Sequence, residues 1–280
     1  MDFADKFRQA AQRNRSLLCV GLDPDPAMMP RMGLFEFNKA IIDVTADLVC
    51  AYKPNLAFYE ALGTEGLDAL QRTVDYIPDD IPVIGDAKRG DIGNTARAYA
   101  RALFETFGFD AATVNPYLGY DSLEPFISYK DRAIFVLCRT SNPGALDFQA
   151  LDCSSGEKKS DVQPLFKLVA RKARDWNKHG NVGLVVGATY PQELEEIRQL
   201  CPGMTLLIPG IGAQGGDLAA AVHFGVDAEG GNAIFNSSRQ ILYASKESDF
   251  ALAARQAADE LRGRIESLRP PPTSPSVKGA

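Results

Sequence analysis

Short apolar runs and helix-length amphipathic segments alternate eight times along this chain, which limits the folds open to it more than any other feature. The strand candidates are 17–23 (LLCVGLD), 50–54 (CAYKP), 82–88 (PVIGDAK), 111–115 (AATVN), 133–139 (AIFVLCR), 182–188 (VGLVVGA), 205–209 (TLLIP) and 232–236 (NAIFN). Helix candidates fall near 36–49, 59–76, 92–107, 119–129, 161–179, 191–200, 215–224 and 247–267, with one more amphipathic segment at the N-terminus. Eight strand–helix repeats in roughly 250 residues are what a (β/α)8 TIM barrel needs. An open doubly wound sheet alternates in the same way, but it gathers its ligand contacts at one switch point. Here charged residues end several different strands, and no G-x-G-x-x-G opens the first helix. The expectation is an α/β chain with a single (β/α)8 domain over 1–268 and a disordered tail at 269–280 (RPPPTSPSVKGA), which lacks the apolar content to pack. Residues 144–162 make a polar excursion after the fifth strand, too long for a plain turn.

Composition narrows the function. A net charge of -6 and a pI near 5.1 argue against nucleic-acid or membrane-surface binding, though not against an anionic small molecule held by a local ring of donors. No apolar run approaches the ~20 residues of a membrane span. The N-terminal MDFADKFRQAAQRNRS carries acidic residues unlike a signal peptide. Cys19, Cys50, Cys138, Cys153 and Cys201 show no C-x-x-C spacing, so they read as reduced, mostly buried small hydrophobes. A cytoplasmic enzyme or binding protein without a metal site is expected. His179 and His223 have no ligand partners at metal spacing and read as non-catalytic; Trp176 reads as a packing residue.

The densest chemistry lies in GDAKRGDIGNTA, 85–96. Residues two apart on a strand face one side, so Asp86 and Lys88 are expected to point into the barrel mouth. Asp91 follows where the chain turns into a helix, so that two carboxylates would surround one ammonium and hold it protonated. The alternative is a surface ion-pair cluster, with Asp91 simply capping the helix. Lys53 ends the second strand and Asp23 the first, which brings alternating charges to one small volume. PGIGAQGGD, 209–217, follows the seventh strand with glycines that let a backbone approach an anion, and Arg239 follows the eighth. A barrel phosphate site commonly sits there. RTSNPGA, 139–145, offers Ser141 and Asn142 as neutral hydrogen-bonding groups, or merely a turn set by Asn-Pro-Gly.

Over residues 16–245 these segments together resemble the orotidine 5′-phosphate decarboxylase family. Lys53 with DAKRGDIGNTA is similar to that family's charged signature, and TSNPGA, PGIGAQGGD and NSSR are similar to its pyrimidine and phosphate loops. The longer excursion and the NSSRQILYAS ending resemble the bacterial branch often called type 2. The resemblance implies conversion of orotidine 5′-monophosphate to uridine 5′-monophosphate and CO2, a step of pyrimidine synthesis, with no cofactor and no metal. It implies that Lys53, Asp86, Lys88 and Asp91 form the catalytic array, with Lys88 protonating C6 of the ring. It places Asp23 on the ribose, Ser141 on the pyrimidine edge, and Gln214 and Arg239 on the phosphate. It also implies a homodimer in which Asp91, Ile92 and Thr95 reach the neighbour's site. Two other readings stay open: a Mg²⁺-dependent sugar-phosphate decarboxylase sharing Asp-x-Lys-x-x-Asp, and a non-catalytic nucleotide-binding barrel. Lys53 weighs against the first, because two ammonium groups at the mouth would repel a divalent cation.

Overall fold

Each of the eight apolar runs forms a strand, in a computed structural model that describes residues 1–154, 162–211 and 217–270. In chain order the elements are α1 (Phe3–Arg13), β1 (Leu18–Leu22), α2 (Leu34–Thr45), β2 (Ala51–Pro54), α3 (Leu56–Glu60), α4 (Gly63–Tyr76) and β3 (Ile84–Arg89). They continue with α5 (Gly93–Arg101), β4 (Ala111–Val114), α6 (Tyr120–Ile127), β5 (Ala133–Arg139), β6 (Asp152–Ser154), β7 (Val162–Pro164) and α7 (Leu165–Trp176). The last are β8 (Val182–Val186), α8 (Pro191–Leu200), β9 (Leu206–Pro209), α9 (Leu218–Gly225), β10 (Ala233–Ser237), α10 (Arg239–Leu242) and α11 (Phe250–Leu268).

Eight strands pair in parallel in the order β2-β1-β10-β9-β8-β5-β4-β3. Bridges Tyr52↔Val83 and Asn55↔Asp86 join the two ends and close the ring. That closure rules out the open sheet. Parallel strands covered by helices are buried on both faces, which is why β1 and β8 read as continuous apolar runs and are buried at every position.

Three departures from the periodicity have local causes. The helix expected over 59–76 is split into α3 and α4 at Gly63, whose φ of 61° interrupts the helical path. The helix expected over 92–107 ends in a π-helical turn at Ala102–Thr106. The helix expected from 161 begins at Leu165, because Val162–Pro164 pairs antiparallel with Asp152–Ser154 and turns the excursion into a hairpin. Arg269, expected in the disordered tail, is fixed by an ion pair to Glu266 and a 2.8 Å hydrogen bond to the Gly230 carbonyl. Residues 271–280 lie outside the described residues.

The N-terminal end of the barrel is closed by α1. Asp2 caps this helix by accepting from the Asp5 amide, and Phe3, Phe7 and Ala10, spaced along one face, are buried. Phe3 meets Phe135 edge-on at 5.7 Å. Burying each phenylalanine stabilises the closure by roughly 1.5–3 kcal/mol. Trp176 packs against the core with its ring 5.6 Å from that of Tyr120, as its helical position suggested. All five cysteines are free thiols; four are buried and Cys153 is half-buried in the hairpin.

Candidate active site

The C-terminal ends of the strands surround a cavity of about 560 Å³. Lys53 on β2 is 4% exposed, and its Nζ donates to Asp86 Oδ2 at 2.9 Å. Lys88 Nζ donates to the other oxygen, Asp86 Oδ1, at 2.5 Å. Thr113 Oγ1 also donates to Oδ1, at 2.9 Å, and accepts the Lys88 backbone N–H at 2.9 Å. Asp86 is thus a carboxylate with three donors, two of them cations.

The electrostatics follow from that geometry. Burial alone would push Lys53 below the usual lysine value, but the Asp86 and Asp23 carboxylates more than offset it and hold the ammonium above that value. Burial pushes the Asp86 carboxyl up, while Lys53 and Lys88 pull it well below the usual carboxylate range. Both groups are charged throughout the physiological range. Cys19, on the neighbouring strand, has its thiol pushed up to about 12 by burial, so it stays neutral beside Lys53.

Lys88 reaches the cavity by a route that strand alternation did not predict. Its φ is 48°, in the left-handed region, and the β3–β4 register shifts between Gly85 and Arg89. The strand is irregular at the residue whose side chain turns back onto Asp86. A non-glycine residue held there costs of order 1–3 kcal/mol and persists only where its surroundings fix it; the Thr113 hydroxyl on its N–H is one such constraint.

Asp91 is placed differently from the expectation of two carboxylates around one ammonium. Within this chain Lys88 pairs with Asp86 alone among the described residues; Asp91 Oδ1 accepts the Ile92 N–H at 2.8 Å. The reason is backbone direction: after Arg89 the chain leaves the barrel, so Asp91 and the exposed Ile92 and Thr95 stand outside the cavity lining. Asp23 lines the cavity, accepts the Asn55 N–H at 3.2 Å and has its carbonyl held by the Tyr243 hydroxyl at 2.8 Å. Ser141 and Asn142 line it from the end of β5, and Arg239 from the start of α10. Arg239 is exposed and forms no ion pair among the described residues. Gln214 lies outside the described residues.

Two glycines admit these side chains. A Cβ on Gly187, just after β8, would lie 2.8 Å from the Ser141 amide nitrogen, so only glycine lets the Ser141 backbone sit there. A Cβ on Gly21 would fall 1.9 Å from Ser238 Oγ. Sequence reasoning missed Thr113 and Gln149, both on the cavity wall. Thr113 was the one hydroxyl in an apolar strand, a usable signal; Gln149 had none beyond its place in a long excursion. Among the described residues no group of three or more His, Cys, Asp and Glu is placed to hold a metal ion.

Comparison with known proteins agrees with this geometry. Residues 16–254 match the model of the orotidine 5′-phosphate decarboxylase / HUMPS family. The chain belongs to that family. Among its bacterial members, an orotidine 5′-phosphate decarboxylase of Dehalococcoides mccartyi is 53% identical over 271 residues, 96% of this chain and 99% of the relative. One of Thermomicrobium roseum is 54% identical, covering 96% of each. Among solved structures, the OMP decarboxylase of Leishmania donovani superimposes with a TM-score of 0.83 at 41% identity, covering 96% of this chain and 99% of that one. The putative orotidine-monophosphate decarboxylase of Toxoplasma gondii gives 0.85 at 38% identity, covering 95% and 98%. The family barrel and the barrel built here from strand pairing are the same architecture.

Proposed function

We propose that this chain is an orotidine 5′-phosphate decarboxylase, a carboxy-lyase that converts orotidine 5′-monophosphate to uridine 5′-monophosphate and CO2. The observation that carries the reading is the Lys53–Asp86–Lys88 array at the cavity wall. In the reaction the bond from C6 to the carboxylate breaks, and its electron pair stays on a ring carbon with no conventional sink. An ammonium already oriented beside that carbon stabilises the charge without reorganising, then delivers a proton to C6. Lys88 takes that role and is reprotonated from solvent. Asp86 fixes the Lys88 ammonium, and Lys53, buried and charged, keeps Asp86 ionised. Asp23 binds the ribose, Ser141 the pyrimidine edge, and Gln214 and Arg239 the phosphate, where a guanidinium can grip two oxygens at once.

The enzyme works as a homodimer in which Asp91, Ile92 and Thr95 of one protomer complete its partner's cavity. Support comes from the exposure of Ile92, Tyr99, Tyr117 and Leu118, large apolar side chains on the segments that follow β3 and β4. Mixing inactive Lys88→Ala and Asp91→Ala chains should restore about a quarter of wild-type activity, since half the dimers then carry one intact site. No recovery in mixed dimers would refute the shared site. The enzyme is placed in the cytoplasm by this reading, a compartment where free thiols such as its five cysteines persist.

Ultraviolet monitoring of orotidine 5′-monophosphate consumption by EDTA-treated protein tests the activity. Full conversion to uridine 5′-monophosphate is expected. Turnover surviving EDTA would exclude the Mg²⁺-dependent sugar-phosphate reading, and product binding without turnover would favour a binding barrel.

A further inference from the structure

The hairpin excursion after β5 sends one side chain into the cavity that the mechanism above does not use. Gln149 lies ten residues beyond the end of β5, yet its amide returns to the first residue after that strand. Its Oε1 accepts the Thr140 backbone N–H at 2.8 Å, and its Nε2 donates to Thr140 Oγ1 at 2.9 Å. Thr140 Oγ1 in turn donates to Asn142 Oδ1 at 2.7 Å. A planar amide can meet a donor and an acceptor side by side, which neither a carboxylate nor a thioether can do.

Gln149 is itself anchored from below. Its N–H donates to the carbonyl of buried Ala145, and its carbonyl accepts the Phe166 N–H at the start of α7, both at 2.9 Å. From the opposite side, the Gly187 N–H holds the Arg139 carbonyl at 2.7 Å, and the missing Gly187 side chain leaves room for the Ser141 backbone. Thr140–Asn142 is therefore clamped between the end of β8 and the excursion. A turn left loose loses backbone freedom when a ligand immobilises it, whereas a turn already fixed loses less.

We propose that Gln149 is a positioning residue for base recognition: it pre-organises Thr140, Ser141 and Asn142 so that the cavity discriminates the pyrimidine ring from the sugar phosphate alone. The inference rests on the reading of this cavity as an orotidine 5′-monophosphate site. It gives the excursion a function, because the segment between β5 and α7 carries the amide that returns to Thr140.

The test compares Gln149→Met, which keeps the volume and removes both hydrogen bonds, with wild type by calorimetric titration of uridine 5′-monophosphate and of ribose 5-phosphate. Affinity for the nucleotide should fall about ten-fold, the loss of one to two hydrogen bonds, while ribose 5-phosphate stays within about two-fold. KM for orotidine 5′-monophosphate should rise more than kcat falls. Thr140→Val, which removes the hydroxyl from the other side, should give the same selective loss and serves if Gln149→Met does not fold. The double variant should be no weaker than the weaker single one, since both break one unit. Equal losses for the two ligands, unchanged nucleotide affinity, or additive single effects would each overturn the positioning role. A wild type that neither binds uridine 5′-monophosphate nor decarboxylates its precursor would instead sink the functional reading beneath it.

Discussion

Two aspartates sit at opposite ends of the barrel, and each is flanked by two cations and one further donor. At the mouth, Asp86 takes Lys53, Lys88 and the Thr113 hydroxyl. At the base, Asp110 takes Lys6 at 2.8 Å, Arg132 at 3.2 Å and the Val83 backbone N–H at 2.8 Å. The chemistry of the two clusters is nearly the same; their surroundings are not. Lys6 belongs to α1, and Phe3 on the same helix fills the barrel floor, so the lower cluster ties a lid of secondary structure to the sheet. Asp86 stands on the wall of an open cavity with Lys88 half-exposed above it, where a ligand can reach the ammonium. Charge clusters at the N-terminal face of such barrels serve stability, and those at the C-terminal face serve chemistry.

Substitutions at matched positions should break the resemblance between the clusters. The largest effect is expected for Lys88→Ala, which should lower kcat/KM by at least about 10⁴-fold by removing both charge stabilisation and the proton donor. Calorimetric affinity for uridine 5′-monophosphate should stay within about three-fold, because the product no longer carries the developing charge. Equal losses in both would contradict the role given to Lys88.

Asp86→Asn should come next, lowering unfolding stability in urea by about 3–5 kcal/mol, because Lys53 is left buried without its counter-charge. Turnover should collapse with it. Asp110→Asn should cost less, about 1–3 kcal/mol, since the Lys6 and Arg132 side chains keep 15% and 28% of their exposure and can reach water. Its kcat/KM should be unchanged, and a loss of turnover comparable to that of Asp86→Asn would erase the distinction between the ends.

The smallest effect concerns pH. The Asp86 carboxyl is held below its ordinary 3.8, so its stabilisation is present above that value and is lost as pH falls through the folded value. Lys53 is held above its ordinary 10.5, so its contribution is present below that value and is lost as pH rises through the folded one. The stability gap between wild type and a Lys53→Met/Asp86→Leu double variant should therefore be flat from about pH 5 to 9 and fall away on both sides. At neutral pH the gap should be within about 2 kcal/mol, since apolar replacements offset the desolvation of a buried pair. A slope between pH 6 and 8 would show that one of the two groups is not charged there.

The amino-acid sequence determined the barrel by itself, because eight apolar runs alternating with amphipathic helices have few other ways to bury their surface. It also marked Lys53, Asp86 and Lys88, since charges at strand ends are costly unless they converge and pair. Three things were decided only by the folded chain. Lys88 turns inward through a left-handed backbone and a register shift, which a two-residue period does not contain. Asp91 parts from Lys88 because the chain leaves the barrel after Arg89, a direction set by packing rather than by spacing. Gln149 reaches Thr140 because the excursion turns back on itself, with the Gln149 N–H on the Ala145 carbonyl and the Gln149 carbonyl on the Phe166 N–H. Local pattern reports which residues must be buried or paired; contacts between distant segments depend on where the backbone travels, and only the tertiary structure fixes that.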